Sequence, residues 1–227
     1  MRMMRAITDL WLSFLNPEPV HPIPEFSFLG GSEGGIRSAE LRAAQLASHG
    51  YAALAVAYYR IDDLPKMLVQ LPLEYFEKAI DWMVSRETVD HSKLSVMGWS
   101  KGGELALILA SRFSSLRAVV AYVPSHVVWQ DIGYGSSWTY QGQPLSYVPY
   151  KPGAGGYDPK NPAIPINLRE LYLGSLDNEE AVTRASIPVE NISGAILLIS
   201  SHGDQMWPWQ LMADQIISRP KKHNFKY

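Results

Sequence analysis

The sequence predicts an α/β protein with a mostly parallel central sheet and helices on both faces, as a single domain over residues 1–227. Three observations carry this. Short apolar runs alternate with stretches of helical periodicity, the pattern of repeated strand–helix–strand units. The runs are apolar throughout, as strands covered on both faces are. A serine framed by glycines, in Gly98-Trp99-Ser100-Lys101-Gly102, stands between one such run and a helical stretch.

The elements follow in order. Residues 1–24 are a poorly defined N-terminal segment. Its apolar stretch contains Asp9 and has no small-residue cleavage site, so it reads as an edge-strand pair rather than a signal peptide. Glu25 to Leu29 reads as a strand ending in the glycine-rich run Gly30 to Gly35. Arg37 to His49 is a helix with Ala39, Ala43, Leu46 and Ala47 on one face, closed by Gly50. Tyr51 to Tyr59 is a buried strand. Pro72 opens a helix in which Leu73, Phe76, Ile80 and Met83 recur at helical spacing. Lys93 to Gly98 is a strand, and Gly102 to Phe113 is a helix apolar nearly all round. Leu116 to Val123 and Ala195 to Ser200 are buried strands, Trp209 to Ser218 is a helix, and His223 to Tyr227 is a last strand. Between them, residues 124–190 show no clear alternation and are rich in Trp, Tyr, Pro and Gly. Such a long irregular excursion is expected near the active site. Asp177 and Glu180 have the spacing of a capping box.

Composition narrows the function classes. The chain is 47% hydrophobic and 19% charged with a formal charge of −2, so no basic excess points to nucleic acid. No run is long enough to span a bilayer. The absence of cysteine removes thiolate metal sites and a cysteine nucleophile, and it fits a cytoplasmic protein. No metal or cofactor is expected.

The serine motif fits a nucleophile elbow. Gly98 and Gly102 are needed because side chains there would collide where the chain turns sharply from strand to helix, lifting Ser100 above the sheet. The oxyanion hole is expected from the backbone N–H of Lys101 and one from Gly31, Ser32 or Glu33. Asp204 follows a later strand and suits the triad acid in the chain order Ser…Asp…His. The fold puts the histidine after a further helix and strand, and the chain stops at Tyr227. The fold is therefore expected to be C-terminally truncated. His126 and His202 are the histidines nearer the catalytic rim, and each is weighed as a substitute base. Trp99, Trp129, Trp138 and Trp207 are the candidate substrate-contacting residues, and Lys101, Arg37 and Lys151 the candidates to meet CoA phosphates.

With these residues in view, the chain resembles the acyl-CoA thioesterase and bile acid-CoA:amino acid N-acyltransferase C-terminal domain family, an α/β-hydrolase family related to dienelactone hydrolases. The matching stretches include "LGGSEGG", "DDLPKMLVQLPLEYFEKAIDWM", "VMGWSKGGELALILAS", "AVVAYVPS" and "IPVENISGAILLISSHGDQMWP". The resemblance implies Ser100 as nucleophile and Asp204 as triad acid, with the histidine in a "GH" motif beyond Tyr227. It implies hydrolysis of acyl-CoA in fatty-acid metabolism, since conjugating members use cysteine and this chain has none. Two other classes stay open. One is an inactive hydrolase-fold fragment or acyl-binding protein, prone to self-association. The other is a small-ester or lactone carboxylesterase.

Overall fold

The computed structural model describes residues 10–15, 22–131, 135–161 and 166–222. In chain order the elements are β1 (Trp11–Leu15), β2 (Ile23–Leu29), α1 (Arg37–Ser48), β3 (Ala52–Ala57), β4 (Leu71–Pro72), α2 (Leu73–Val84), β5 (Val89–Trp99), α3 (Lys101–Arg112), β6 (Leu116–Tyr122), β7 (Trp138–Tyr140), β8 (Gln143–Pro144), α4 (Leu168–Ser175), α5 (Glu179–Ala185), β9 (Ala195–Ile199) and α6 (Trp209–Lys222). The expected last strand, His223 to Tyr227, lies outside the described residues.

Six strands form one sheet in the order β1-β3-β2-β5-β6-β9. All its pairs are parallel except β1 with β3, so the N-terminal segment supplies an antiparallel edge strand. β3 is buried at every position. Its alternate side chains enter different cores, as a pleated strand requires. Leu54 and Val56 pack with Leu73, Phe76 and Leu105 of α2 and α3, whereas Ala53 and Ala55 pack with Ala39 and Ala43 of α1. The small residues of β3 and α1 let that helix lie close to the sheet. On β2, Glu25 is 1% exposed and accepts a 2.9 Å hydrogen bond from Ser27 Oγ. Burial pushes its carboxyl up to about 8.

Parallel strands end on one side, so the loops after β2, β5, β6 and β9 gather at one rim. The 124–190 excursion comes back over that rim and is more regular than its sequence suggests. It holds β7, β8, α4 and α5, and β7 joins β4 and β8 in a three-stranded sheet. Strands of two and three residues leave no periodicity to detect. The cap of α5 is Asn178, whose side chain accepts from Ala181 N–H at 3.1 Å, one residue beyond the expected Asp177. Asn167 caps α4 in the same way, accepting from Glu170 N–H.

Candidate active site

Ser100 occupies the turn between β5 and α3 with φ 51° and ψ −123°, a conformation that side-chain-bearing residues rarely adopt. Its N–H donates to Tyr122 O at 3.0 Å, and its carbonyl accepts the first helical bonds from Gly103 and Glu104. The two framing glycines are forced by crowding. A Cβ on Gly98 would lie 2.1 Å from Gly102 O, and one on Gly102 would lie 2.2 Å from Gly30 O. The tight turn leaves Ser100 exposed at the mouth of a small cleft of about 50 Å³.

One wall of this mouth is the loop after β2. Tyr58 Oη donates to Gly30 O at 2.5 Å and anchors the loop from beneath. Of the three loop residues expected to offer an oxyanion donor, Ser32 lines the cleft. Gly31 N–H is instead turned to Glu33 Oε1 at 3.1 Å. Burial would raise the Glu33 carboxyl, but hydrogen bonds from Ser38, Gly31 and Trp99 outweigh it and hold the group below its ordinary value. Glu33 is thus an ionised brace of the loop. The backbone N–H of Lys101 lies in the first turn of α3, where N–H groups have no intrahelical acceptor.

The Lys101 side chain turns inward. Its Nζ lies 2.8 Å from Glu104 Oε1, 3.0 Å from Glu104 Oε2 and 2.9 Å from Trp129 O. Glu104 also accepts from Trp129 N–H at 3.2 Å and from Trp138 Nε1 at 2.8 Å. Burial pushes the ammonium down and the carboxyl up, each opposed by the other's charge. With its three protons directed to these acceptors, Lys101 Nζ is neither a base for Ser100 nor a surface cation for phosphates. Lys151, another expected phosphate contact, pairs with Asp177 at 2.6 Å, and Arg37 is exposed on α1.

The excursion and the loop after β9 together supply the far wall. Trp129, Tyr150, Tyr172 and Trp207 line the cleft, their rings packed edge to face or stacked at 4.3–6.2 Å between centroids. Two of the four tryptophans expected to touch substrate do not line it. Trp138 is fully buried behind Glu104, and Trp99 lies against the Glu33 loop with Arg42 over its ring. Sequence reasoning missed Glu104, Gln130, Asp131 and Tyr172. Only Glu104 had a signal, since a carboxylate in a helix apolar nearly all round must find a buried partner.

Asp204 sits in the loop after β9, two strands from β5 and at the same end of the sheet. Its Oδ1 accepts from Met206 N–H at 2.8 Å and Trp207 N–H at 2.9 Å, a turn that points Trp207 Nε1 to Pro124 O at 2.9 Å. His202 is exposed and its ring lies 5.7 Å from that of Trp209. His126 does not line the Ser100 cleft. Its Nδ1 is 2.9 Å from Met212 Sδ, and the residue lines a separate cleft with Ser186, Gln215 and Arg219. Burial, helped by the charge of Arg219, lowers its imidazole to about 4. The expectation that these histidines lie at the rim therefore fails for His126. Loop direction after Ser125, not distance along the chain, decides it.

Among the described residues no three His, Asp or Glu side chains cluster to hold a metal, and no helix is long and apolar enough to cross a membrane. A family model described as BAAT / Acyl-CoA thioester hydrolase C terminal matches residues 71–227. Acyl-coenzyme A thioesterase 2, mitochondrial, of Mus musculus is 32% identical over 219 residues, covering 92% of this chain and 43% of its own length. Acyl-coenzyme A thioesterase 1 of Homo sapiens is 31% identical over 215 residues, covering 92% and 47%. The chain thus spans less than half the length of these relatives. Among solved structures, 2,6-dihydroxy-pseudo-oxynicotine hydrolase has a TM-score of 0.58 at 15% identity, covering 96% of this chain and 57% of that one. DcsB in complex with its substrate analogue has 0.61 at 15%, covering 93% and 82%. At that identity the likeness shows the fold alone, which is that of the α/β-hydrolases.

Proposed function

Because the chain belongs to the BAAT / acyl-CoA thioester hydrolase C-terminal family, we propose that it hydrolyses acyl-CoA thioesters through an acyl-serine formed at Ser100. The observation that carries the reading is the strained Ser100 turn, whose φ of 51° holds the hydroxyl at the mouth of the aromatic cleft. Strain of this kind persists where the surrounding structure over-determines it, and it clusters at working sites.

In this reading Ser100 Oγ attacks the thioester carbonyl carbon and gives up its proton to a base. The oxyanion is met by Lys101 N–H and Ser32 N–H. The C–S bond then breaks and CoA leaves as the thiol, taking a proton. Water attacks the acyl-serine, releases the carboxylic acid and restores Ser100. Asp204 is the acid that would orient an imidazole. Its Oδ1 is occupied by the turn, so the second oxygen is the one to address the ring. The cleft's aromatic wall would receive the acyl group. A cytoplasmic site of action belongs to the same proposal and is supported by the lack of cysteine.

One observation favours a second reading. Among the described residues no histidine lines the Ser100 cleft, which suits a protein that binds acyl groups without turning them over. Fluorophosphonate treatment followed by intact-mass measurement separates the two, because an activated serine alone is labelled quickly. Hydrolysis predicts one adduct on the wild type and none on Ser100→Ala. A wild type that stays unlabelled overturns it in favour of binding. Turnover of p-nitrophenyl esters with none of acyl-CoA would instead identify a carboxylesterase.

A further inference from the structure

We propose that Glu104, through its buried pair with Lys101, is a positioning residue that registers the acyl wall of the cleft against the Ser100 turn and thereby sets which acyl groups fit. The inference rests on the reading of Ser100 as nucleophile. It starts from an oddity of α3: two opposite charges, 9% and 1% exposed, in the first turn of a helix that is then apolar as far as Ser111 and Arg112. Buried pairs are weak devices for stability, since apolar replacements of like volume often do as well. What this pair provides is direction. It takes both the N–H and the C=O of Trp129, as a neighbouring strand would, and it takes the indole N–H of Trp138 as well.

Trp129 is the centre of the aromatic wall. Tyr150, Tyr172 and Trp207 each pack on its ring, with centroids 6.1, 4.9 and 6.2 Å away. Fixing one residue therefore fixes four. The link is also short. Lys101 faces the nucleophile with its main chain and the wall with its side chain, so a single residue joins the oxyanion side of the site to the acyl side. The carboxylate is chemically required. Each oxygen of Glu104 accepts from an uncharged donor, Trp138 Nε1–H on one and Trp129 N–H on the other, while both face the ammonium. A glutamine offers one acceptor oxygen and would turn an NH₂ group toward a donor.

The test is Glu104→Gln, read in two ways. The first is hydrogen exchange of the Trp129 amide and the Trp138 indole N–H. We expect exchange at one or both to rise about tenfold or more, the scale of one lost hydrogen bond to a charged group, with β2 and β5 amides unchanged. Unchanged exchange at both overturns the proposal. The second is the ratio of labelling rates by a long-chain alkyl fluorophosphonate and a short-chain one, in which any general loss of folded protein cancels. A loosened wall should raise the long-to-short ratio several-fold. A ratio within twofold of wild type, or a lower one, overturns the role in acyl selection. If Glu104→Gln does not fold, Lys101→Met/Glu104→Leu removes both charges at similar volume, and retained Trp129 protection there overturns the clamp. Should the wild type itself take no label, the Ser100 reading falls, while exchange still decides whether the pair holds the wall.

Discussion

Replacing Glu25 by glutamine should flatten the alkaline side of the protein's stability profile. Glu25 lies inside β2, wholly buried, with Ser27 Oγ as its side-chain donor and with no cation within salt-bridge reach among the described residues. Its carboxyl is raised from 4.5 to about 8 by burial, against smaller opposing hydrogen bonds from Ser27 and the Ser95 backbone. The folded state therefore binds a proton that the unfolded chain has lost. Its contribution is present in full below 4.5 and is lost as pH rises toward and through about 8. At about 1.36 kcal/mol per pH unit, the whole effect is about 5 kcal/mol, a large share of a domain's usual stability. His126 titrates with the opposite sign below 6.5, so the clean window is pH 6.5 to 8, where the Glu25 share is about 1.6 kcal/mol. Urea unfolding of wild type and Glu25→Gln at those two pH values measures it. Wild type should lose about 1.6 kcal/mol more than the variant between them. Parallel profiles would refute the reasoning and mean that the carboxyl is ionised in the folded protein, with water or a shifted neighbour solvating it.

His126 should shape the acid side. Its imidazole is lowered from 6.5 to about 4, so its contribution is complete above 6.5 and falls as pH drops toward 4. His126→Leu should remove about 3 kcal/mol of acid destabilisation between pH 6.5 and 4, seen as a rise of the variant's urea midpoint relative to wild type as pH falls. An unchanged gap at both pH values would show that the ring titrates normally. Gly102→Ala sets a new Cβ 2.2 Å from Gly30 O and 2.5 Å from Leu29 O, backbone atoms of the neighbouring strand end. The expected cost is about 3 kcal/mol of unfolding free energy, with Ser100 labelling reduced because the Ser32 loop must retreat. A variant within about 1 kcal/mol of wild type would mean that the elbow yields more easily than its packing implies.

The sequence by itself determined the strand–helix order, the parallel sheet and the elbow. These follow from local facts: apolar runs too short for helices, helical spacing between them, and two glycines where any side chain would meet backbone. It also placed Ser100 and Asp204 at the same end of the sheet, because parallel strands leave no other choice. Only the tertiary structure decided what faces what. Glu104 finds Trp129 and Trp138 at 25 and 34 residues' separation, over a segment whose short strands carry no periodic pattern. Gly31, flexible and well placed, is taken by the carboxylate of Glu33 two residues on. His126 follows β6 as an active-site loop residue would, yet one turn of chain at Ser125 sends it to Met212. Trp138, a candidate substrate contact in the irregular segment, is fully buried as the hydrogen-bond partner of Glu104. The physical reason is common to all four. Backbone conformation is biased by neighbours in sequence, whereas hydrogen-bond partners and cleft walls are set by which distant segment returns to cover the sheet's rim.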